Sequence, residues 1–212
     1  MNKATVQALL DDPRVWRARR GDERRPTLPS GYPELDALLP GGGWPAARLT
    51  EIAVERWGSG ELALLVPLLV RLSADEAPTE RHWIAWISPP FLPYAPALAA
   101  AGIDIGRLLL VRAGDDAATL WAAEQALRSC SCRLVLAWAG QAGATGLRRL
   151  QLAAEAGGTT LILFRPLAAL AAPSAAALRL SLAGGQDGAR LRLRKHRGEA
   201  SATVSLATLQ GR

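Results

Sequence analysis

The sequence predicts an α/β fold: a mostly parallel sheet flanked by helices on both faces, followed by a C-terminal antiparallel β extension. Three observations carry this. Between residues 48 and 164, short runs that are apolar on both faces alternate with helical segments of 8–14 residues, and strands of that kind belong in a buried parallel sheet. Beyond Pro166 the alternation stops, and strand-like runs flank Gly184-Gly185-Gln186-Asp187-Gly188, a hairpin pattern. The 212 residues are 50% hydrophobic and 21% charged, a globular balance in a chain long enough to bury roughly two thirds of its unfolded surface.

In chain order, residues 3–10 suit a short helix stopped by Asp12-Pro13, and Arg14 to Pro29 reads as an extended arm rich in arginine and proline. Ser30-Gly31-Tyr32-Pro33-Glu34 opens a short helix, with Ser30 or Gly31 as cap and Pro33 in the first turn. The turn Gly41-Gly42-Gly43-Trp44-Pro45 follows. Strands are expected at 48–54, 82–88, 107–112, 133–138 and 159–164, with helices at 61–73, 94–101, 117–129 and 144–157 between them. Strands at 178–183, 189–197 and 202–206 complete the chain. Three segments result: an N-terminal helix and basic arm (1–29), a core (30–166) and a basic β-hairpin extension (167–212).

Composition excludes several classes. No apolar stretch reaches the roughly 20 residues of a membrane span, and MNKATVQALLDDP lacks a secretory apolar region, so a cytoplasmic location is expected. Cys130 and Cys132 have no nearby histidine, since His82 and His196 are distant in sequence. Two reduced thiols at a helix end fit better than a metal site, which needs about four ligands. The net charge of +6 is unevenly spread: residues 179–212 carry 7 basic and 2 acidic side chains, whereas residues 57–178 carry 9 of each.

The most telling local feature is Glu55-Arg56-Trp57-Gly58-Ser59-Gly60-Glu61, between the strand RLTEIAV and the helix LALLVPLLVRL. Strand, glycine turn and helix are the setting of a phosphate-binding loop. Its lysine should meet the β- and γ-phosphates, and the following hydroxyl should hold magnesium. Allowing one inserted residue, Glu61 and Leu62 occupy those positions. A carboxylate suits the positive end of a helix but competes there with phosphate. The chain's two lysines, Lys3 and Lys195, follow no glycine turn.

The stretch SGYPELDALLPGGGWPAARLTEI (Ser30 to Ile52) resembles the opening of a RecA-type ATPase core. WISPPFLPYAPALAAAGIDIGRLLLVRAGD (Trp86 to Asp115) is similar to the RecA segment that carries a catalytic glutamate after its strand, and RLVLAWAG (Arg133 to Gly140) falls where the Walker B strand should be. The resemblance spans roughly residues 30–165 and rests on ordered spacing. It implies that Pro90 replaces the water-activating glutamate and Trp138 the Walker B aspartate. Gly58, Gly60, Glu61, Leu62, Pro90 and Trp138 would then form a degenerate nucleotide site with neither catalysis nor cofactor, because phosphoryl transfer depends on the lost charges.

The combination resembles the ImuA family, RecA-like accessory proteins of SOS-induced translesion DNA synthesis that are similar over their core to the division inhibitor SulA. LLVPLLVRLS, HWIAWISPP and Phe164-Arg165-Pro166 are shared features, while the N-terminal SGYPELDALLPGGGWP and the basic LRLRKHRG favour ImuA. The resemblance implies three partners: RecA, a polymerase-like ImuB-type protein and an error-prone polymerase. The alternative is a SulA-like inhibitor binding the tubulin-like division protein.

Two basic segments are candidate contacts. Arg190, Arg192 and Arg194 alternate onto one strand face, with Lys195 and Arg197 on the other. They suit nonspecific DNA, an acidic protein patch, or a solvated edge strand guarded by charge. Arg14, Trp16, Arg17, Arg19 and Arg20 combine residue types enriched in binding hot spots, although a flexible solubilising arm has the same composition. Trp57 beside the degenerate loop, and Trp83, Trp86 and Trp138 on strands, are expected to pack, with Trp83 and Trp86 facing opposite sides of theirs. Glu55 and Glu61 do not suggest paired-carboxylate catalysis.

Overall fold

The computed structural model describes residues 26–74, 83–185, 188–195 and 203–206. The expected helix at 3–10, the arm residues Arg14, Trp16, Arg17, Arg19 and Arg20, and Arg197 lie outside the described residues.

A small ribbon opens the described chain: β1 (Thr27–Leu28) pairs antiparallel with β2 (Trp44–Pro45). Sequence periodicity gave no sign of it, since each strand has two residues and a proline adjoins β1 and lies within β2. Between them α1 (Pro33–Leu38) starts on its proline and buries Leu35. The expected cap at Ser30 or Gly31 is displaced: Tyr32 is the N-cap, and Asp36 reaches back to accept the Ser30 N–H at 2.8 Å.

The core elements fall close to their expected places. They are β3 (Leu49–Val54), β4 (Trp83–Ile87), α3 (Ala95–Ala100), β5 (Leu108–Val111), α4 (Asp116–Arg128), β6 (Cys132–Trp138), α5 (Ala144–Gly157) and β7 (Thr160–Pro166). Asp115 caps α4 by accepting the Ala118 N–H at 2.7 Å, and α5 ends at Gly158, whose φ of 60° suits glycine. The helix expected from residue 61 begins later. A 3₁₀ turn (Ala63–Leu65) leads into α2 (Val66–Ala74), because Pro67 lacks an N–H and fits only in a first helical turn.

Beyond a 3₁₀ segment (Leu167–Ala171) come β8 (Leu178–Gly185), β9 (Gly188–Lys195) and β10 (Thr203–Leu206). They join the same sheet, whose order among the described residues is β10-β9-β8-β3-β7-β6-β4-β5. Pairing is parallel from β8 through β3, β7, β6 and β4 to β5, and antiparallel across β8-β9-β10. The C-terminal strands are thus not wholly antiparallel, since β8 runs parallel to β3. The sheet is α/β and mixed, with its parallel part central.

Successive strand residues point to opposite faces, and the core divides accordingly. Ile52, Val54, Trp86, Leu136, Phe164 and Leu180 pack with Leu64 and with Leu68 and Leu69 of α2. Leu49, Ile87, Val135 and Leu163 pack with Leu127 of α4 and Leu147 and Leu150 of α5.

The centre of the sheet also contains charge. Glu51 of β3, Arg165 of β7 and Arg179 of β8 are all buried. Arg165 Nη1 donates to Glu51 Oε1 at 3.0 Å, and Arg179 Nε lies 2.7 Å from Oε2, close but poorly aligned for a hydrogen bond. The Nη2 of Arg165 and both Nη groups of Arg179 turn to backbone carbonyls, while Arg165 Nε is buried without a partner. Arg165 reaches Ala142, and Arg179 reaches Ala169, Leu170 and Ala172 in and after the 3₁₀ segment. Removing one member of a buried ion cluster strands the others in a low-dielectric interior. Glu51→Gln is therefore expected to lower unfolding stability by about 3–5 kcal/mol, read as a lower urea midpoint. An unchanged midpoint would show that the cluster is neutral to stability.

Candidate functional site

The carboxyl ends of parallel strands are where α/β sheets place ligands, and here they frame a cleft of about 260 Å³. The loop after β3 supplies Gly58, Gly60, Glu61 and Leu62; the segment after β4 supplies Pro89 to Tyr94; β4 and β6 contribute Trp86 and Trp138. All six residues assigned to the degenerate nucleotide site therefore line one cavity.

Within the loop, Gly58 (φ 78°) and Gly60 (φ 97°) take left-handed backbone angles that other residues rarely adopt. That conformation folds Glu61 back, so that Oε1 accepts the Gly58 N–H at 2.9 Å. Glu61 is 3% exposed, and its Oε2 has no hydrogen-bond partner. The carboxylate is thus hydrogen-bonded to its own loop. Glu55 is exposed and makes no pair with it, leaving no carboxylate dyad.

The floor is aromatic. Trp138 stacks on Phe164 with ring centroids 4.8 Å apart and planes 21° from parallel, and Trp86 tilts against Trp138 at 6.0 Å. Cross-strand register explains the row, because Trp138 lies directly opposite Phe164. The indole N–H groups of Trp86 and Trp138 are buried without partners. The rim is Phe91, Leu92 and Tyr94, large apolar side chains left exposed. Sequence reasoning passed over them, although the run PPFLPY, apolar and proline-rich directly after a strand, is the signal that could have found them.

A second, more polar cleft of about 500 Å³ adjoins the first across Pro90 and Trp138 and is lined also by Trp57, Ser88, Asp115, Asp116 and Thr119. Its acids are engaged in building loops: Asp116 accepts the Gly140 and Gln141 N–H groups at 2.9 and 2.7 Å, beside the Asp115 cap. Ser88, at φ 52°, exchanges a 2.8 Å hydrogen bond with Thr119 and accepts the Ala113 N–H. Trp57 packs at the edge of the core while lining this cleft. Among the described residues no cluster of three or more His, Cys, Asp or Glu is placed to hold a metal ion.

Elsewhere, Arg190, Arg192 and Arg194 are exposed on one face of β9 and alternate with buried Leu191 and Leu193. Arg194 Nε donates to Ser181 of β8 at 3.0 Å. β9 lies between β8 and β10 and is not the edge strand, so edge protection does not explain its arginines. Lys195 continues β9 opposite Arg179 in register. Trp86 packs in the core as expected, but Trp83, the first residue of β4, is 40% exposed. Cys130 is exposed and Cys132 buried, both free, and burial raises the Cys132 thiol pKa. No helix among the described residues is long and apolar enough to cross a membrane.

Fold and cleft define a class: an α/β protein with a mixed, mostly parallel sheet whose glycine loop after β3 is hydrogen-bonded to its own carboxylate. The chain belongs to the ImuA/SulA-like family. It is 35% identical to protein ImuA of Caulobacter vibrioides over 144 residues, covering 66% of this chain and 58% of ImuA. It is 33% identical to the cell division inhibitor SulA of Edwardsiella piscicida over 118 residues, covering 54% of this chain and 68% of that protein. The crystal structure of SulA from Pseudomonas aeruginosa aligns at 28% identity with a TM-score of 0.46, over 55% of this chain and 97% of that one. No protein-family model matches the chain. The chain spans little more than half the length of the ImuA relatives it matches.

A Cβ added at Gly58 would stand 3.0 Å from a Phe91 ring carbon, whereas one at Gly60 would meet open space. Both glycines have positive φ, which costs other residues about 1–2 kcal/mol. Gly58→Ala is expected to lower the thermal midpoint by about 4 °C or more, and Gly60→Ala by less. Circular dichroism melts of the two variants check the order.

Proposed function

We propose that this protein is a noncatalytic, RecA-like accessory protein of SOS-induced translesion DNA synthesis. It acts in the cytoplasm as an adaptor between RecA and a polymerase-like partner of ImuB type working with an error-prone polymerase. The observation that carries this reading is the buried Glu61 bonded to the loop it should leave open for phosphate. Trp138, stacked on Phe164, supports it, because on this reading Trp138 replaces the Walker B aspartate. On this reading the RecA-type arrangement, with helices on both sheet faces, is kept as a frame for contacts after its ATP chemistry was lost. The similarity to ImuA over 66% of the chain points the same way.

A second reading rests on the match to SulA, 68% of whose length is covered at 33% identity. It makes the protein an inhibitor of cell division that binds the tubulin-like division protein. Overexpression separates the two, because filamentous, undivided cells favour the second reading and normally dividing cells the first. Copurification with RecA and with the ImuB-type partner tests the adaptor directly; association with neither would refute it.

Two further outcomes are expected. Calorimetry with Mg-ATP gives no heat of binding, and Glu61→Lys alone does not create a site, because Trp138 still stands at the metal position. The arginine face of β9 suits sequence-independent DNA or an acidic protein patch. If it meets DNA, affinity falls steeply with salt, and replacing Arg190, Arg192 and Arg194 with alanine lowers the salt slope by about one for each phosphate no longer neutralised.

A further inference from the structure

Three residues that line the cleft at the carboxyl ends of β3, β4 and β6 each carry a buried polar atom without a partner: Glu61 Oε2, Trp86 Nε1 and Trp138 Nε1. Buried polar atoms are satisfied in the great majority of cases, so three orphans around one cavity call for a ligand. Their chemistry defines it. One is a carboxylate oxygen that needs a donor, ideally cationic; two are indole N–H groups that need acceptors. Phosphate would satisfy the indoles and be repelled by Glu61. The loop's own cation, Arg56, is exposed and makes no hydrogen bond to Glu61.

We propose that this cleft binds an arginine-bearing peptide segment of a partner protein, with the guanidinium on Glu61 and the peptide's backbone carbonyls on the indoles. Arginine fits better than lysine because the walls are aromatic. A planar guanidinium stacks on rings and presents several donors at once, whereas an ammonium is more strongly hydrated. Charge complementarity fixes the occupant, and the exposed rim of Phe91, Leu92 and Tyr94 gives an apolar collar that would exclude water from the contact. Less than 1 Å² of each orphan atom is exposed, so entry displaces the rim. Phe91 and Tyr94 are 63% and 71% exposed, and side chains that free reorient at little cost. The proposal stands on the orphaned atoms and does not depend on the SOS reading.

The test uses the full chain and capped five-residue peptides of apolar residues around a central arginine, lysine or citrulline, the last a neutral near-isostere of arginine. The readout is the indole N–H resonances of Trp86 and Trp138 in a ¹H–¹⁵N spectrum. The arginine peptide is expected to shift both, with affinity at least about ten-fold above the citrulline peptide, the scale of a charge-assisted hydrogen bond. Glu61→Gln, which retains an oxygen for the Gly58 N–H, should abolish that ten-fold preference while leaving the other tryptophan resonances in place. No shift at millimolar arginine peptide, equal shifts with citrulline, or shifts with Mg-ATP in its place would each overturn the proposal. A stronger response to the lysine peptide would overturn its choice of arginine.

Discussion

The structure turns on Glu51. It sits in the middle of the central strand, and its two oxygens face one arginine from each flanking strand. A lone carboxylate there would be untenable, and so would either guanidinium. The three make sense only when β7, β3 and β8 are side by side in register, which ties the C-terminal strands to the parallel core. Arg179 extends the tie to three carbonyls of the Ala169–Ala172 region, and Arg165 to Ala142 beside α5. Hydrophobic burial elsewhere is tolerant of small shifts; this cluster is not, because an offset of one residue would bury unpaired charge.

The same central strand delivers the loop that makes the cleft unusual. Where a phosphate loop keeps its N–H groups open, this one has spent one of them on Glu61, and the aromatic row from Phe164 through Trp138 to Trp86 occupies the space beyond. The cleft therefore presents a surplus acceptor, Glu61 Oε2, set among rings.

Much of this was legible in the chain. Apolar runs such as Leu134 to Ala137 and Leu161 to Phe164 announced buried parallel strands, and the glycines around Glu61 announced the loop. The alternation of Arg190, Arg192 and Arg194 correctly placed them on one face. What could not be read depended on distant partners. Trp83 and Trp86 look equivalent in sequence, and only the neighbours of β4 decide that one is exposed. Glu51 and Arg179 are 128 positions apart by number, and nothing local marks either as buried. The ribbon of β1 and β2 is too short for any periodicity, and PPFLPY reads as a plain proline-rich loop until Gly58 is seen beneath Phe91.

The placement of β3 between β7 and β8 has a consequence for how the chain is made. Residues 49–54 leave the ribosome early, yet both of their sheet neighbours, residues 160–166 and 178–185, follow more than a hundred positions later. Contacts of such sequence separation slow folding and keep apolar strand edges uncovered in the meantime. The central strand is thus among the last to be completed. Nascent chains stopped before residue 178 would present one bare edge of β3 and two of the three members of the ion cluster to chaperones and proteases, which makes the strands from residue 178 onward a checkpoint for the sheet.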